Sequence, residues 1–235
     1  MGFSLSVIIP ALNEEKSIGV TVRNVLSAIS RCPQITRYEL ILINDGSTDG
    51  SRAVMQQIAR EKENVTILDN ETNRGVGFSY KRGLQAATCD YCSWVPSDDT
   101  FSSDSLHKLY SRIGSADIIL HYPQVQNRKL YRMLLSKLYI QFLNFLFGIH
   151  TIRYYNGLAI YKRSDILFVT LRSSGFAFQA ELLIKVLKGK ERKIVQVPIF
   201  TTERAHGSTK SLKAKNILDV CKSLYRLHVD VYRLH

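Results

Sequence analysis

The sequence is organised around one stretch, Tyr91-Cys92-Ser93-Trp94-Val95-Pro96-Ser97-Asp98-Asp99. It begins as a short apolar strand and ends at two adjacent carboxylates. In an open α/β sheet, ligands bind outside the carboxyl ends of the strands. Two aspartates there, in a chain with a net charge of +12, indicate a divalent cation that carries an anionic ligand. The alternative is that Asp98 and Asp99 only cap the next helix, although residues 102–104 lie closer to it and already supply caps.

Composition limits the class of protein. The chain has 235 residues, 45% of them apolar, which is enough for one domain with a substantial core. The positive charge predicts polyanionic partners such as anionic lipid headgroups, phosphorylated substrates or nucleic acid. Because the basic residues are dispersed and form no recognition motif, we expect no nucleic-acid partner.

Strands and helices alternate through the first hundred residues. Apolar runs predict strands at Leu5–Ile9, Tyr38–Ile43, Val65–Leu68 and Tyr91–Val95, and helical spacing of apolar residues fills the gaps between them. This alternation predicts a parallel α/β sheet with right-handed crossovers. Further strands are predicted at Asp117–His121, Tyr155–Tyr161 and Ile194–Val197, and further helices at Phe176–Leu187 and Ser211–Tyr232.

The stretch from Arg128 to Phe147 is predicted to be a helix crowded with large apolar side chains. It is either a core helix of the same domain or a basic amphipathic helix that lies in the headgroup plane of a membrane. No apolar run in the chain reaches the roughly 20 residues that a membrane-spanning helix needs. We therefore expect a protein that does not cross the membrane.

Three loops at predicted strand ends carry carboxylates, and a fourth carries Asn73-Arg74-Gly75. The lysine of a P-loop and the G-x-G-x-x-G fingerprint are both absent. The remaining kind of site is one in which carboxylates contact the base and ribose of a nucleotide. A hard cation would then bridge its diphosphate.

The motifs in order resemble family 2 glycosyltransferases of the GT-A fold. They are the segments 6–15, 44–51, 73–75 and the Asp98/Asp99 pair. In the second half, 175–184, 197–199 and Arg204-x-His206-Gly207-Ser208-x-Lys210 are similar to the polyprenyl-phosphate branch, typified by dolichyl-phosphate mannose synthases. The resemblance implies a single domain over 1–235 with a Rossmann-like, mostly parallel sheet flanked by helices. It also implies an amphipathic interface helix region at about 124–150 and an acceptor loop with a C-terminal helix at about 201–235.

The resemblance also implies site residues. The nucleotide-sugar would be bound by Pro10, Leu12, Glu14, Asp45, Arg74, Asp98 and Gln179. Asp98 and Asp99 would be catalytic and would hold Mg²⁺ or Mn²⁺. Arg204 and Lys210 would be catalytic as well and, together with Ser208, would hold the acceptor phosphate. One departure concerns Pro96, which stands where the metal motif of the family has its first Asp.

The implied reaction is the inverting transfer of a sugar, mannose or glucose, from a GDP- or UDP-sugar to a polyprenyl phosphate. The enzyme would work as a peripheral protein on the cytoplasmic face of a membrane, with room for a small membrane-anchoring partner. A phosphate acceptor is already an anion near neutral pH, so this reaction needs no strong base.

Two alternatives stay open. The first is a family 2 enzyme that glycosylates a saccharide hydroxyl in surface polysaccharide synthesis, with Asp99 or Asp104 as its base. The second is a non-catalytic relative that binds a nucleotide-sugar and has lost turnover together with the first metal Asp.

Overall fold

The computed structural model describes residues 2–124, 130–175, 177–200 and 214–233. The strands are β1 Phe3–Ala11, β2 Ile35–Asp45, β3 Val65–Asn70, β4 Tyr91–Trp94, β5 Ile118–Pro123, β6 Ala159–Lys162 and β7 Ile194–Ile199. The helices are α1 Ile18–Ser30, α2 Ser51–Glu61, α3 Val76–Ala86, α4 Ser103–Tyr110, α5 Leu130–Phe147, α6 Arg163–Ile166, α7 Phe178–Gly189 and α8 Ala214–Arg233.

The strands form one sheet in the order β3-β2-β1-β4-β6-β5-β7. Strand β6 is antiparallel to both of its neighbours, and the other pairs are parallel. The predicted mostly parallel α/β sheet is therefore confirmed. Because β1, β2, β3, β4, β5 and β7 run in one direction, their carboxyl ends meet at the same edge of the sheet.

Apolar side chains of successive strand residues enter two separate cores. In β1, Val7 and Ile9 join the core beneath α1, α2 and α4, whereas Ile8 joins the core beneath α3, α5, α7 and α8. This alternation follows from the two-residue period of a strand. It explains why β1 reads as a continuous apolar run, since both of its faces are covered.

Several predicted bounds differ from the structure. The strand predicted over Tyr155–Tyr161 begins only at Ala159, and residues 155–157 form bends. Strand β7 continues through Pro198 and ends at Ile199. Proline fits there because, among the described strands, β7 pairs only with β5, so its outer side needs no donor to a neighbouring strand. Helix α7 begins at Phe178, two residues after the predicted start.

Helix α5 has two unlike faces. Leu143 and Phe147 are buried in the core, which confirms that the helix packs on the domain. Its other face exposes large apolar side chains, namely Leu134, Leu135, Leu138, Phe142 and Phe145, of which Phe145 is 86% exposed. Within the described residues, no helix is both long and apolar enough to span a membrane.

Candidate active site

The polar ends of the first four strands lie side by side at one edge of the sheet. Asn44 and Asp45 end β2, Asn70 ends β3, and the turn with Asp98 follows β4. The register places Asp45 opposite Asn70 and Pro10 opposite Ile43. The topology thus brings together the loops in which the sequence predicted a ligand site.

Asp45 fixes the turn between β3 and α3. Its side chain is 3% exposed and accepts hydrogen bonds from the backbone N–H groups of Arg74 and Gly75, both at 2.9 Å. The Asn70 amide donates to the same carboxylate at 2.7 Å and to Ser79 Oγ at 2.9 Å. A buried carboxylate with three donors is a rigid anchor, so the turn has a defined shape before any ligand binds.

The β1–α1 and β2–α2 loops hold each other through reciprocal hydrogen bonds. Asn13 N–H donates to Ser47 Oγ at 3.1 Å, and Thr48 N–H donates to Asn13 Oδ1 at 2.8 Å. Glu14 N–H donates to Ser51 Oγ at 2.7 Å. Asn13 has a φ of +58°, a backbone conformation that Asn tolerates better than most residues. These contacts make the two loops one wall of the site.

Three further predicted residues lie in the last part of β1 and in the loop that follows it. Pro10 is buried within β1, and Leu12 and Glu14 are half-buried just beyond it. The Glu14 carboxylate accepts a hydrogen bond from Ser17 Oγ at 2.6 Å, in the first turn leading into α1. Glu14 therefore also supports the start of the helix, in addition to the pocket role that the family resemblance implies.

The two aspartates after β4 have different surroundings. Asp98 is 6% exposed, and its Oδ1 accepts hydrogen bonds from the hydroxyl and the backbone N–H of Thr100. Asp99 has a φ of +56°, and its Oδ1 accepts from Asn24 Nδ2 of helix α1 at 2.8 Å. The hydrogen bond from Asn24 ties Asp99 to α1. Helix α4 is capped by Ser102, whose Oγ accepts from Ser105 N–H, so capping does not account for the Asp pair.

The remaining described site residues are Arg74, in the turn before helix α3, and Gln179, in helix α7. The Arg74 guanidinium is exposed and sits 4.6 Å from the centre of the Phe78 ring. Gln179, at the start of α7, lines an aromatic cavity together with Tyr80, Trp94, Tyr161 and Phe178. Its Oε1 is buried and has no hydrogen-bond partner among the described residues, so a polar ligand atom or a water there would satisfy it.

Three predicted site residues, Arg204, Ser208 and Lys210, lie outside the described residues. Within the described part, no group of three or more His, Cys, Asp or Glu side chains could hold a metal ion. A hard cation at Asp98 would therefore take most of its oxygen ligands from a bound diphosphate and water, which is how Mg²⁺ is commonly held.

Sequence reasoning missed two contributors to this edge. Asn70 supports Asp45, and its position at the end of a strand, like that of Asp45, was the signal that could have revealed it. Glu181 is 3% exposed and holds a segment beside the Gly75 turn through its carboxylate. Its signals were that it is a lone Glu in an apolar helix and that it lies in segment 175–184, one of those that carry the family resemblance.

The fold, together with the polar edge of the sheet, indicates the class of protein. The structure matches glucosyl-3-phosphoglycerate synthase of Mycobacterium tuberculosis, solved with Mn²⁺, UDP and phosphoglyceric acid, with a TM-score of 0.71. The match has 19% sequence identity and covers 98% of this chain and 78% of that one. The molecule is a glycosyltransferase of the GT-A fold.

Sequence comparison gives the family. Residues 6–168 match the family described as Glycosyl transferase family 2, and the chain belongs to that family. It is 29% identical over 231 residues to a dolichol-phosphate mannosyltransferase of Pyrococcus furiosus, covering 95% of this chain and 63% of that protein. It is 32% identical over 104 residues to a putative teichuronic acid biosynthesis glycosyltransferase of Bacillus subtilis, covering 44% of this chain and 39% of that protein. The chain thus spans less than two thirds of the length of either relative.

Proposed function

We propose that the protein transfers mannose or glucose from a GDP- or UDP-sugar to a polyprenyl phosphate, with inversion, at the cytoplasmic surface of a membrane. The supporting observation is the extent of similarity. The relative named for dolichol phosphate aligns with 95% of the chain, whereas the relative named for teichuronic acid aligns with 44%. The longer alignment includes much of the second half, where the family resemblance puts acceptor recognition.

The donor site has two parts. The turn held by Asp45 and the wall formed by the two joined loops would enclose the nucleoside, with Pro10, Leu12 and Glu14 along the wall. Arg74 supplies an exposed positive charge beside this turn for a phosphate. Preorganised polar groups of this kind bind without reorganisation when the ligand arrives.

The region around Asp98 fits a divalent cation that arrives with the diphosphate, either Mg²⁺ or Mn²⁺. Asp98 would supply a carboxylate oxygen, and the cation, when bound, would neutralise charge on the leaving nucleoside diphosphate. Because Pro96 stands where the motif has a carboxylate, the protein supplies few of the cation's ligands. Asp99 is the adjacent group that could supply another. Its Oδ1 accepts a hydrogen bond from Asn24, and a carboxylate keeps further lone pairs with which it can bind a cation.

Both candidate bases for a hydroxyl acceptor already have partners within the protein. Asp104 pairs with Arg31 at 2.7 Å on the surface, and hydrogen bonding to Arg31 holds the pKa of Asp104 below its usual range, which weakens it as a base. Asp99 is engaged by Asn24. An acceptor that is already an anion, such as a phosphate, avoids the need for a base. Arg204, Ser208 and Lys210 are the residues we assign to it.

The exposed apolar face of helix α5 supports work at a membrane. Five large apolar side chains share that face, and a patch of this kind on a soluble surface marks a protein or membrane contact. The net charge of +12 favours anionic headgroups. A small membrane protein bound to this face would also hold the enzyme at the membrane.

The direct test is an assay of purified protein with Mg²⁺ or Mn²⁺, a polyprenyl phosphate and a panel of labelled GDP- and UDP-sugars. Label that moves into the organic phase from one donor supports the proposal and identifies the sugar and the base. Label that moves only into an aqueous saccharide product would overturn the lipid acceptor. Nucleotide-sugar binding without consumption, measured by calorimetry, would indicate a non-catalytic relative.

The second candidate is transfer to a saccharide hydroxyl. It is favoured by the 32% identity to the teichuronic acid enzyme over 104 residues, which slightly exceeds the 29% identity to the mannosyltransferase over 231 residues. A soluble phosphate acceptor, such as the phosphoglyceric acid bound to the structural neighbour, should be included in the panel.

A further inference from the structure

Glu181 is a buried acid in the first turn of helix α7 that no role assigned so far uses. Its carboxylate accepts hydrogen bonds from the backbone N–H groups of Arg172 at 2.9 Å and Ser173 at 2.8 Å. Lys185, one turn further along the helix, pairs with it at 2.7 Å and also donates to Thr170 O at 2.7 Å. The segment 170–173 is therefore fastened to α7 by Glu181 and Lys185 together.

The same segment continues directly against the donor turn. Gly77 N–H donates to Ser174 O at 2.8 Å. A Cβ added at Gly75 would lie 2.5 Å from Ser174 O, and one added at Gly77 would lie 2.5 Å from Ser173 O. The backbones of the segment and the turn are thus in contact at two successive points. With Asp45 on its other side, the turn is held between two anchors.

The network reaches the C-terminal helix through Asp230 on α8. Asp230 pairs with Arg172 at 3.0 Å and lies 3.7 Å from Lys185. The side chains of Asp230 and Lys185 are 16% and 17% exposed, so solvent screens them only in part. One continuous set of contacts therefore runs from α8 through Glu181 and segment 172–174 to the turn that carries Arg74 and Gly75.

We propose that Glu181 is a positioning residue for the donor turn, residues 73–77, and that Asp230 couples helix α8 to that turn. The inference rests on the proposed function in one respect only, which is that the ligand bound at the turn is a nucleoside diphosphate. Glu181 does not touch the turn itself. It acts by fixing segment 172–174, including the carbonyl of Ser174. That segment in turn limits how far Gly75 and Gly77 can move.

The plainer reading is that this buried network only stabilises the fold. Removing one member leaves the others buried without partners, which destabilises any protein. A matched control separates the two readings. Asp165 pairs with Arg192 at 2.8 Å with side chains 14% and 15% exposed, and it follows β6 at the opposite edge of the sheet from the donor turn. Asp165→Asn removes a comparable ion pair without touching segment 172–174.

The experiment compares Glu181→Gln, Asp230→Asn and Asp165→Asn with the parent protein. Amide hydrogen exchange reports on residues 74–77 without any ligand, and calorimetry reports the affinity for GDP and UDP. We expect Glu181→Gln to lose protection at residues 74–77 and to bind the nucleotide about tenfold more weakly, within the usual range of coupling between sites. Asp230→Asn should lower the protection at residues 74–77 and the nucleotide affinity by smaller amounts. Asp165→Asn should change neither the protection nor the affinity.

Protection at 74–77 that is unchanged in Glu181→Gln, or lost equally in Asp165→Asn, would overturn the positioning role. If Glu181→Gln does not fold, the protection at residues 74–77 is compared between Asp230→Asn and Asp165→Asn. Equal protection in these two variants would overturn the proposal. A parent protein that binds neither nucleotide would count against the proposed function instead, and the exchange data would still decide whether Glu181 positions the turn.

Discussion

Asp45 Oδ2 accepts a 2.9 Å hydrogen bond from the backbone N–H of Gly75, which joins the end of β2 to the turn after β3. The residues are 30 apart in the sequence and meet because β2 and β3 are parallel neighbours with their ends in register. A buried carboxylate that is satisfied by backbone donors serves as a framework. Any ligand contact made by Asp45 therefore uses a group whose position is already fixed.

The first prediction concerns the backbone of this turn. Gly75 has φ +91° and ψ 154°, a region that residues with a Cβ avoid, and an added Cβ would lie 2.5 Å from Ser174 O. Gly75→Ala should lower the free energy of unfolding by about 1–3 kcal/mol, measured by urea denaturation. Gly189→Ala is the matched control, because no atom of the described residues lies within 4 Å of a Cβ there. Equal effects of the two changes would show that the turn is not strained.

The second prediction concerns Asp98. Asp98→Ala should lower turnover about 100-fold or more at saturating metal, because it removes the carboxylate oxygen that would hold the cation against the donor diphosphate. Asp98→Asn keeps an acceptor for Thr100 and should lose activity to a similar degree with an unchanged melting temperature. Turnover that persists in both variants with the same metal requirement would remove Asp98 from the mechanism.

The third prediction concerns membrane binding by helix α5. Leu134 and Leu138 are 57% and 53% exposed on its outer face. Replacing both with Glu should release the protein from anionic liposomes in a sedimentation assay, since a charged side chain opposes burial in the acyl region. Phe168→Glu, at a residue that is 91% exposed outside α5, should leave binding intact. A double variant that still sediments with liposomes would show that α5 is not the anchor.

The fourth prediction is a pH dependence. Burial acts to raise the pKa of Glu181, but hydrogen bonds from Lys185 and from the backbone of Arg172 and Ser173 outweigh it and hold the pKa below its usual range. A depressed pKa in the folded state adds stability above the unfolded-state pKa, and that stability is lost as the pH falls through the folded-state value.

The parent protein should thus exceed Glu181→Gln in unfolding free energy at about pH 7, and the difference should shrink towards about pH 3. Chemical denaturation of both proteins at the two pH values measures this. A difference that stays constant would mean that the charge of Glu181 does not stabilise the fold.

The fifth prediction addresses the acceptor. Lys210→Ala should raise the KM for polyprenyl phosphate more than the Kd for the nucleotide, because the family resemblance assigns Lys210 to the acceptor phosphate. Steady-state kinetics together with calorimetry separate the two constants. An equal loss of both would assign Lys210 to the donor as well.

Much of the architecture could be predicted from the sequence. Strands β1 to β4 have apolar runs that end in, or are closely followed by, Asp or Asn. Such runs identify buried parallel strands and their ligand-binding ends. The run before β6 was harder to interpret. The strand was predicted to begin at Tyr155, but residues 155–157 form bends that include Asn156 and Gly157, two residue types that disfavour a strand.

The sequence alone determined that this chain is an α/β protein with carboxylates at the ends of its strands, because strand and helix periodicity and turn chemistry are local properties. Only the tertiary structure decided what those carboxylates contact. Asp45 holds the Gly75 turn, Asp99 is tied to α1 by Asn24, and Glu181 fixes the segment that meets Gly77. These pairings depend on strand order, register and helix packing, which bring together residues that are distant in the chain.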